Sequence, residues 1–305
     1  MGLFPAPHRI VSTWQTAYLS HPLYRSVRPW AGALPLADWP TQADYDRLLE
    51  TARGEQAALP PALRFVCDLE PDAYYEMHIG QSGEVPTRSR NWHDWFNALA
   101  WLAWPAGKDA LNRRHVRAIE RGEVRRGPLR DAATLLDECG VIVACSRPEL
   151  GQALDDMRWR ALFIEERAAW GEEIAAFTLG HAVMETGLTP HLGWCGKALI
   201  LDVAPAFFGL EYAAQLRALD ARLAALLDDD AFLPAPRAMC PLPLLGIPGW
   251  WPDNRDPAFY DNTDYFRPTR RAKSASVSCR RQDASGESSP SSPCDTSSPA
   301  PASPR

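Results

Sequence analysis

The sequence is short of most features that would place it quickly. No run of 18 consecutive apolar residues occurs in its 305, so no helix of membrane-spanning length is expected. Basic residues are outnumbered, 32 Lys and Arg against 38 Asp and Glu, and the net charge of −6 argues against a phosphate-binding surface for nucleic acid. The opening residues, MGLFPAPHRI, lack the apolar stretch of a secretory signal. Seven cysteines, an odd number without CxxC spacing, suit neither a disulfide framework nor a zinc finger. These absences make the cytoplasm the expected compartment. GxxxxGK[ST], GxGxxG, HExxH, GxSxG and the EF-hand loop are missing too, which lowers the standing of nucleotide-loop, zincin, α/β-hydrolase and calcium-loop chemistry.

Trp is what the chain has in plenty. Twelve of them concentrate buried area in few positions, which predicts an aromatic-rich core, with a stacking pocket for a planar ligand as the functional alternative.

Periodicity and turn signals supply the elements. Tyr45, Leu48 and Leu49 share one face of a helix over 41–53. LRFVCDL (63–69) and AYYEMHI (73–79) read as a strand pair, and GQSGEVPTR (80–88) as a loop. Helices follow over 92–104, 107–121 and 128–140, each bounded by Asn, Pro or Gly signals. VIVAC (141–145) and ALILDV (198–203) read as buried strands. Two or three helices are expected in 148–188, the last over 168–187, and another over 210–229. A Pro-rich wrap over 233–268 closes the domain. The expected fold is α+β, predominantly helical, with a small sheet from 63–79, 141–145 and 198–203, in one globular domain over 1–268. Residues 269–305, with 11 Ser, 5 Pro and no aromatic, read as a disordered tail that cannot offset its ordering entropy.

Candidate chemistry concentrates in WHDWFNALAWLAW (92–104). Ten of its thirteen residues are apolar and cover every face, so the helix should be buried and its polar members His93, Asp94 and Asn97 must find partners. Asp94, three residues after Asn91, fits a capping-box variant. Lys108, Asn112 and His115 form a stripe on the next helix, either a solvated face or part of a binding surface. Glu76 and Arg88 lie upstream, where an ion pair or an anion-holding arginine are both open readings. Asp137 and Glu138 occupy the last turn of a helix, where the macrodipole disfavours carboxylates. His181 and Glu185, one turn apart, could supply two ligands of a divalent metal, with His93 or His115 as a third, or could simply be satisfied in the core. Cys139 sits at a helix C-terminus, which raises a thiol pKa, and reads as a small hydrophobe.

These segments stand in an order that resembles a bacterial family, domain of unknown function 3025. The landmarks are YE (75–76), GEVPTR (83–88), WHDWFNALAW (92–101), the Lys-x-x-Leu-Asn-x-x-His stretch (108–115), RDAATLLDECG (130–140), GHA (180–182) and PLPLLGIPGW (241–250). The resemblance reaches to about Pro268 and implies membership without an activity. From the residues themselves the leading expectation is a hydrolytic small-molecule enzyme with a pocket built by 86–115. His93 would be the general acid/base, Asp94, Asp137 or Glu138 would orient it, and Arg88 or Lys108 would hold an anionic substrate. A non-catalytic binding or interaction module is the alternative, and no cofactor is expected, with a divalent metal at His181 and Glu185 as an open reading.

Overall fold

The computed structural model describes residues 12–268, apart from 56, 71–73 and 124, together with the backbone of residues 280 and 281. The N-terminal part runs through short 3-10 turns and α1 (Arg28–Ala31) into α2 (Gln42–Glu55), which buries Tyr45, Leu48 and Leu49 as their spacing predicts. Next come β1 (Arg64–Cys67), α3 (Tyr75–Ser82) and β2 (Glu84–Thr87). The expected strand pair over 63–79 is corrected here. β1 forms, but its parallel partner is β2, inside the segment read as a loop, and YYEMHI is helical. Helical spacing turns Tyr75, Glu76 and Ile79 to one side, and Gly83, in the left-handed region at φ 73°, closes the helix.

α4 (Trp92–Ala103), α5 (Pro105–Glu120) and α6 (Pro128–Cys139) follow closely at their expected positions. α6 runs directly into β3 (Gly140–Cys145), the fully buried centre of the second sheet. After α7 (Pro148–Asp155) the chain forms β4 (Ile174–Thr178), antiparallel to β3, and α8 (His181–Thr186). The long helix expected over 168–187 is therefore overturned: pairing with β3 outweighs the local helix propensity of the Ala- and Glu-rich run. β5 (Cys195–Asp202) pairs parallel with β3, and α9 (Tyr212–Leu227) leads to β6 (Cys240–Pro243), antiparallel to β5. β6 lies within the presumed Pro-rich wrap, and its two prolines are tolerated because it borders the sheet. Arg280–Arg281, labelled β7, pairs parallel with Ile200 and Leu201. The rest of the tail expectation falls outside the described residues.

The architecture is thus α+β with helices dominating, and two sheets where one was expected. Eleven of the twelve residues of α4 are buried, and His93 is the exception, which makes it the point where this core helix opens outward. Trp92 stacks on Trp14 with centroids 5.0 Å apart and meets Trp39 at 4.8 Å. Trp95 Nε1 donates to the Tyr18 hydroxyl at 2.9 Å. The aromatic surplus is core, as its composition predicts. Among the described residues no helix is long and apolar enough to cross a membrane.

α5 is fixed at both ends by α9 and the chain after it. The Asp220 carboxylate accepts from the Ala106 and Gly107 amides at 3.1 and 2.7 Å, capping α5 from a neighbouring helix. Burial pushes its pKa up to about 6 against the pull of those two donors. Arg114, wholly buried, donates to the carbonyls of Leu227, Asp230 and Leu233 and so satisfies the end of α9. Replacing Asp220 by Ala strands two buried amides, and should lower unfolding stability by about 2 kcal/mol, by the usual cost of a lost cap or an unsatisfied donor. Asp220→Asn, which keeps one acceptor, should lose about half of that. Urea unfolding of the three proteins measures both.

Candidate functional site

Three backbone junctions deliver the polar residues to one place. The α6–β3 junction carries Asp137 and Glu138. The β4–α8 turn carries His181, and the start of α4 carries His93. The first two are locked together, since Leu179 and Gly180 both donate to the Gly140 carbonyl, at 3.1 and 2.8 Å. A Cβ on Gly180 would stand 2.5 Å from the Glu138 carbonyl oxygen and 2.6 Å from the Gly140 nitrogen. Only glycine allows this approach, and it sets His181 directly beside the last turn of α6.

The imidazoles of His93 and His181 meet at right-angled tilt, with their Nε2 atoms 3.1 Å apart. Glu138 Oε2 lies 3.5 Å from His181 Nε2 and 3.9 Å from His93 Nε2. On the far side of each ring stands another carboxylate. His93 Nδ1 meets Glu185 at 3.2 Å, and His181 Nδ1 faces Asp137 at 3.8 Å. Burial alone would depress the His93 pKa, but Glu185 and Glu138 outweigh it and hold it above the ordinary value. His181 is almost fully enclosed, and burial drives its pKa down to about 3 despite Asp137. Burial, with Asp137 adding, raises the Glu138 carboxyl.

Asp137 is itself fixed. Lys108, 3% exposed, ion-pairs with Asp137 and donates to Asn97 Oδ1 at 2.8 Å, and Asn97 Nδ2 donates to the Tyr75 hydroxyl at 2.9 Å. A buried ammonium needs such pairing, and Lys108 and His181 together hold the Asp137 carboxyl below its usual value against burial. The carboxylates at the unfavourable end of α6 thus have their explanation: one neutralises Lys108, and the other faces the histidine pair.

His93, His181, Asp137, Glu138 and Asn97 line an open cleft of about 460 Å³, along with Tyr74, Tyr75, Arg88, Arg126 and Arg130. Of the sequence candidates, His93, Asp94, Asn97, Asp137, Glu138, Glu76, Arg88 and His181 border it. Their free capacity differs. Arg88 is spent on Asp94 through paired contacts at 2.9 and 2.8 Å, with its amide on the same carboxylate. Asn91 accepts from the Asp94 amide at 3.1 Å, so half of the capping box forms while the Asp94 carboxylate turns to Arg88 instead. Asn112 donates to the Glu76 carbonyl and carboxylate at 2.8 and 2.9 Å. The Lys108, Asn112 and His115 stripe is buried rather than solvated, and His115 sits behind the cleft, with its Nδ1 3.5 Å from Arg130 Nε. Glu185 approaches the outer nitrogen of His93, so the histidine pair's shared face belongs to Glu138. Cys139 is half-buried, with its thiol raised by burial and by Glu138.

Sequence reasoning missed Arg126, Arg130 and Tyr75. The RRGPLR run (125–130), which spans the start of α6, carries three arginines, but its pattern does not say that Arg126 and Arg130 turn toward a cleft shared with α4. A second cleft of about 430 Å³, lined by Leu63, Ile79, Trp101 and Val116 among others, is mainly apolar and gathers no comparable cluster.

Comparison with known proteins adds one relationship. A family model described as "Protein of unknown function (DUF3025)" matches residues 63–270. No curated protein and no solved structure matches the chain.

Two outcomes follow from this geometry. Burial drives the His115 pKa down to about 4, so the folded state keeps it neutral while the unfolded chain takes up a proton near the ordinary value of 6.5. A depressed histidine contributes stability that is present above pH 6.5 and lost on acidification. At pH 4.5 the loss from His115 is about 2–3 kcal/mol by linkage. Urea midpoints measured from pH 7 to pH 4.5 should therefore fall less steeply in His115→Gln than in the parent. Gly180→Ala should displace His181 from Glu138 and cost about 2–4 kcal/mol, as overpacking against backbone does. Thermal unfolding reads the cost.

Proposed function

Since the chain belongs to the DUF3025 family of proteins of unknown function, whose description names no activity, we propose a function from the cleft itself: hydrolysis of a small anionic molecule. One observation carries the reading. A partly exposed histidine on the lining of an open cleft, backed by a carboxylate on Nδ1, brings Nε2 to a second histidine and to a carboxylate that no lysine or arginine neutralises among the described residues.

Each group has a role that its surroundings support. His93 is the proton-transferring residue, because it lines the cleft partly exposed while Glu185 holds the ring and stabilises the imidazolium. His181 stays neutral and positions His93 through the Nε2–Nε2 contact. Glu138 faces the same point and stabilises positive charge there. Arg126 and Arg130 supply the anion-binding side. Among the described residues, the carboxylate nearest Arg126 is Asp131, at 3.9 Å, a separation at which two exposed partners attract weakly. Among the described residues, Arg130 donates to His115 and to no carboxylate. Both guanidiniums are therefore available to a carboxylate or phosphate, for which their planar fork is suited. Lys108, Asn97, Tyr75 and Asp137 form the rigid floor, and Asp94 fixes Arg88 at the rim.

The binding-module reading draws support from the closed pairs Arg88–Asp94 and Lys108–Asp137, which have no capacity left for chemistry. It does not extend to His93 and Glu138, which are partly exposed and have each other, His181 and Glu185 as partners rather than a lysine or arginine among the described residues.

The experiment is turnover of the full chain on three anionic classes: phosphate monoesters, carboxylate-bearing esters and carboxylate-bearing amides. His93→Gln should lower kcat/KM by about 10²–10⁴-fold, the usual worth of a general acid/base. Arg130→Ala should act mainly through KM. Absence of turnover in all three classes, or parental rates in both variants, sinks the reading.

A further inference from the structure

If each ring keeps its one N–H on the outer nitrogen, toward Glu185 or Asp137, both Nε2 atoms present lone pairs to each other at 3.1 Å, and a cation between them satisfies both. With Glu138 Oε2 they form a triangle of 3.1, 3.5 and 3.9 Å. Donors about 2.0–2.1 Å from a tetrahedral ion stand roughly 3.3–3.5 Å from each other, so the triangle already has the size such an ion requires. We propose that His93 Nε2, His181 Nε2 and Glu138 Oε2 bind one divalent transition-metal ion of the zinc class, with the fourth position open to the cleft.

Three further observations support the site. Each outer nitrogen has a carboxylate on its side, as in metal-binding histidines: Nδ1 of His93 bonds Glu185 at 3.2 Å, and Nδ1 of His181, buried and without a hydrogen-bond partner among the described residues, faces Asp137 at 3.8 Å. An N–H on each Nδ1, toward its carboxylate, leaves the Nε2 lone pair for the ion. Asp137 is pinned in turn by Lys108, so the support extends to a third layer. Local charge runs the same way. Asp94 is neutralised by Arg88 and Asp137 by Lys108, which leaves Glu138 and Glu185 facing the histidine pair without a lysine or arginine partner among the described residues. A divalent cation placed among the three atoms satisfies every lone pair at once and leaves one N–H on each ring for its carboxylate.

Two histidines and one glutamate with an open position form a donor set suited to activating water. The inference deepens the hydrolytic reading: with the ion bound, water activation passes from His93 Nε2 to the ion, and Glu185 and Asp137 become positioning residues. Binding itself stands independently of what substrate the cleft takes.

The test is a titration of the full chain, stripped with a chelator, by Zn²⁺ in competition with a chromophoric chelator, and by Co²⁺ followed in the visible spectrum. One equivalent of Zn²⁺ should bind at micromolar affinity or tighter, and Co²⁺ should give the intense bands of a tetrahedral ion. His93→Gln and Glu138→Gln, at half-exposed positions that keep the fold by circular dichroism, should each weaken binding by at least about 100-fold, and Glu185→Gln by about 10–100-fold, as loss of a supporting carboxylate does. Binding below one equivalent at micromolar metal, or unchanged in the His93→Gln/Glu138→Gln double variant, overturns the site. Stoichiometric binding without hydrolysis leaves the site standing and removes the hydrolase. Hydrolysis that is undiminished in the stripped chain overturns the ion's part in water activation and leaves the hydrolase.

Discussion

A single buried ammonium organises the centre of this protein. Lys108 can be charged inside the fold only if its three donors are matched, and the matching draws in Asp137 from α6 and Asn97 from α4, with Tyr75 of α3 one step beyond. Four helices are tied by that chain. Fixing Asp137 also fixes the last turn of α6, and thereby the direction of Glu138. The polar cluster at the cleft is downstream of this pairing, so its geometry is inherited from the floor.

The second constraint is steric. Gly180 lets the β4–α8 turn press against the α6–β3 junction at distances that no side chain would tolerate. Helix and strand ends that are far apart in sequence become one wall, with His181 and Glu138 on the same side. A loop of ordinary flexibility would spread these atoms by an ångström or more, enough to spoil both proton transfer and ion binding.

The sequence disclosed this arrangement unevenly. An apolar run on every face of α4 announced burial, and from burial came the need for partners at Asp94 and Asn97, which the structure supplies. The misplaced carboxylates of Asp137 and Glu138 were visible as a violation of the helix dipole, and a violated rule proved a good pointer to the cleft. What stayed hidden was anything decided by contacts distant in sequence. The aromatic content of YYEMHI suggested a strand, but the side facing α5 imposed a helix. Ala and Glu over 172–176 suggested a helix, but β3 offered a strand partner. The i, i+4 spacing drew attention to Glu185 as the companion of His181, whereas the fold turns Glu185 to the outer nitrogen of His93, a residue 92 positions away. Helical spacing records neighbours on one element and says nothing of which element arrives opposite.

The stacking of Trp14 and Trp39 on Trp92 has a bearing on where this molecule can be divided. The family match starts at residue 63, yet both of those indoles, the Tyr18 hydroxyl that receives Trp95, and the Tyr24 hydroxyl that donates to the Met184 carbonyl at 2.8 Å all come before it. The stretch by which relatives are detected is therefore shorter than the stretch that buries α4. A fragment cut at the edge of detectable kinship would leave a wide indole face to solvent on the very helix that presents His93, an invitation to self-association. Ancestry and cohesion draw their borders at different residues in this chain.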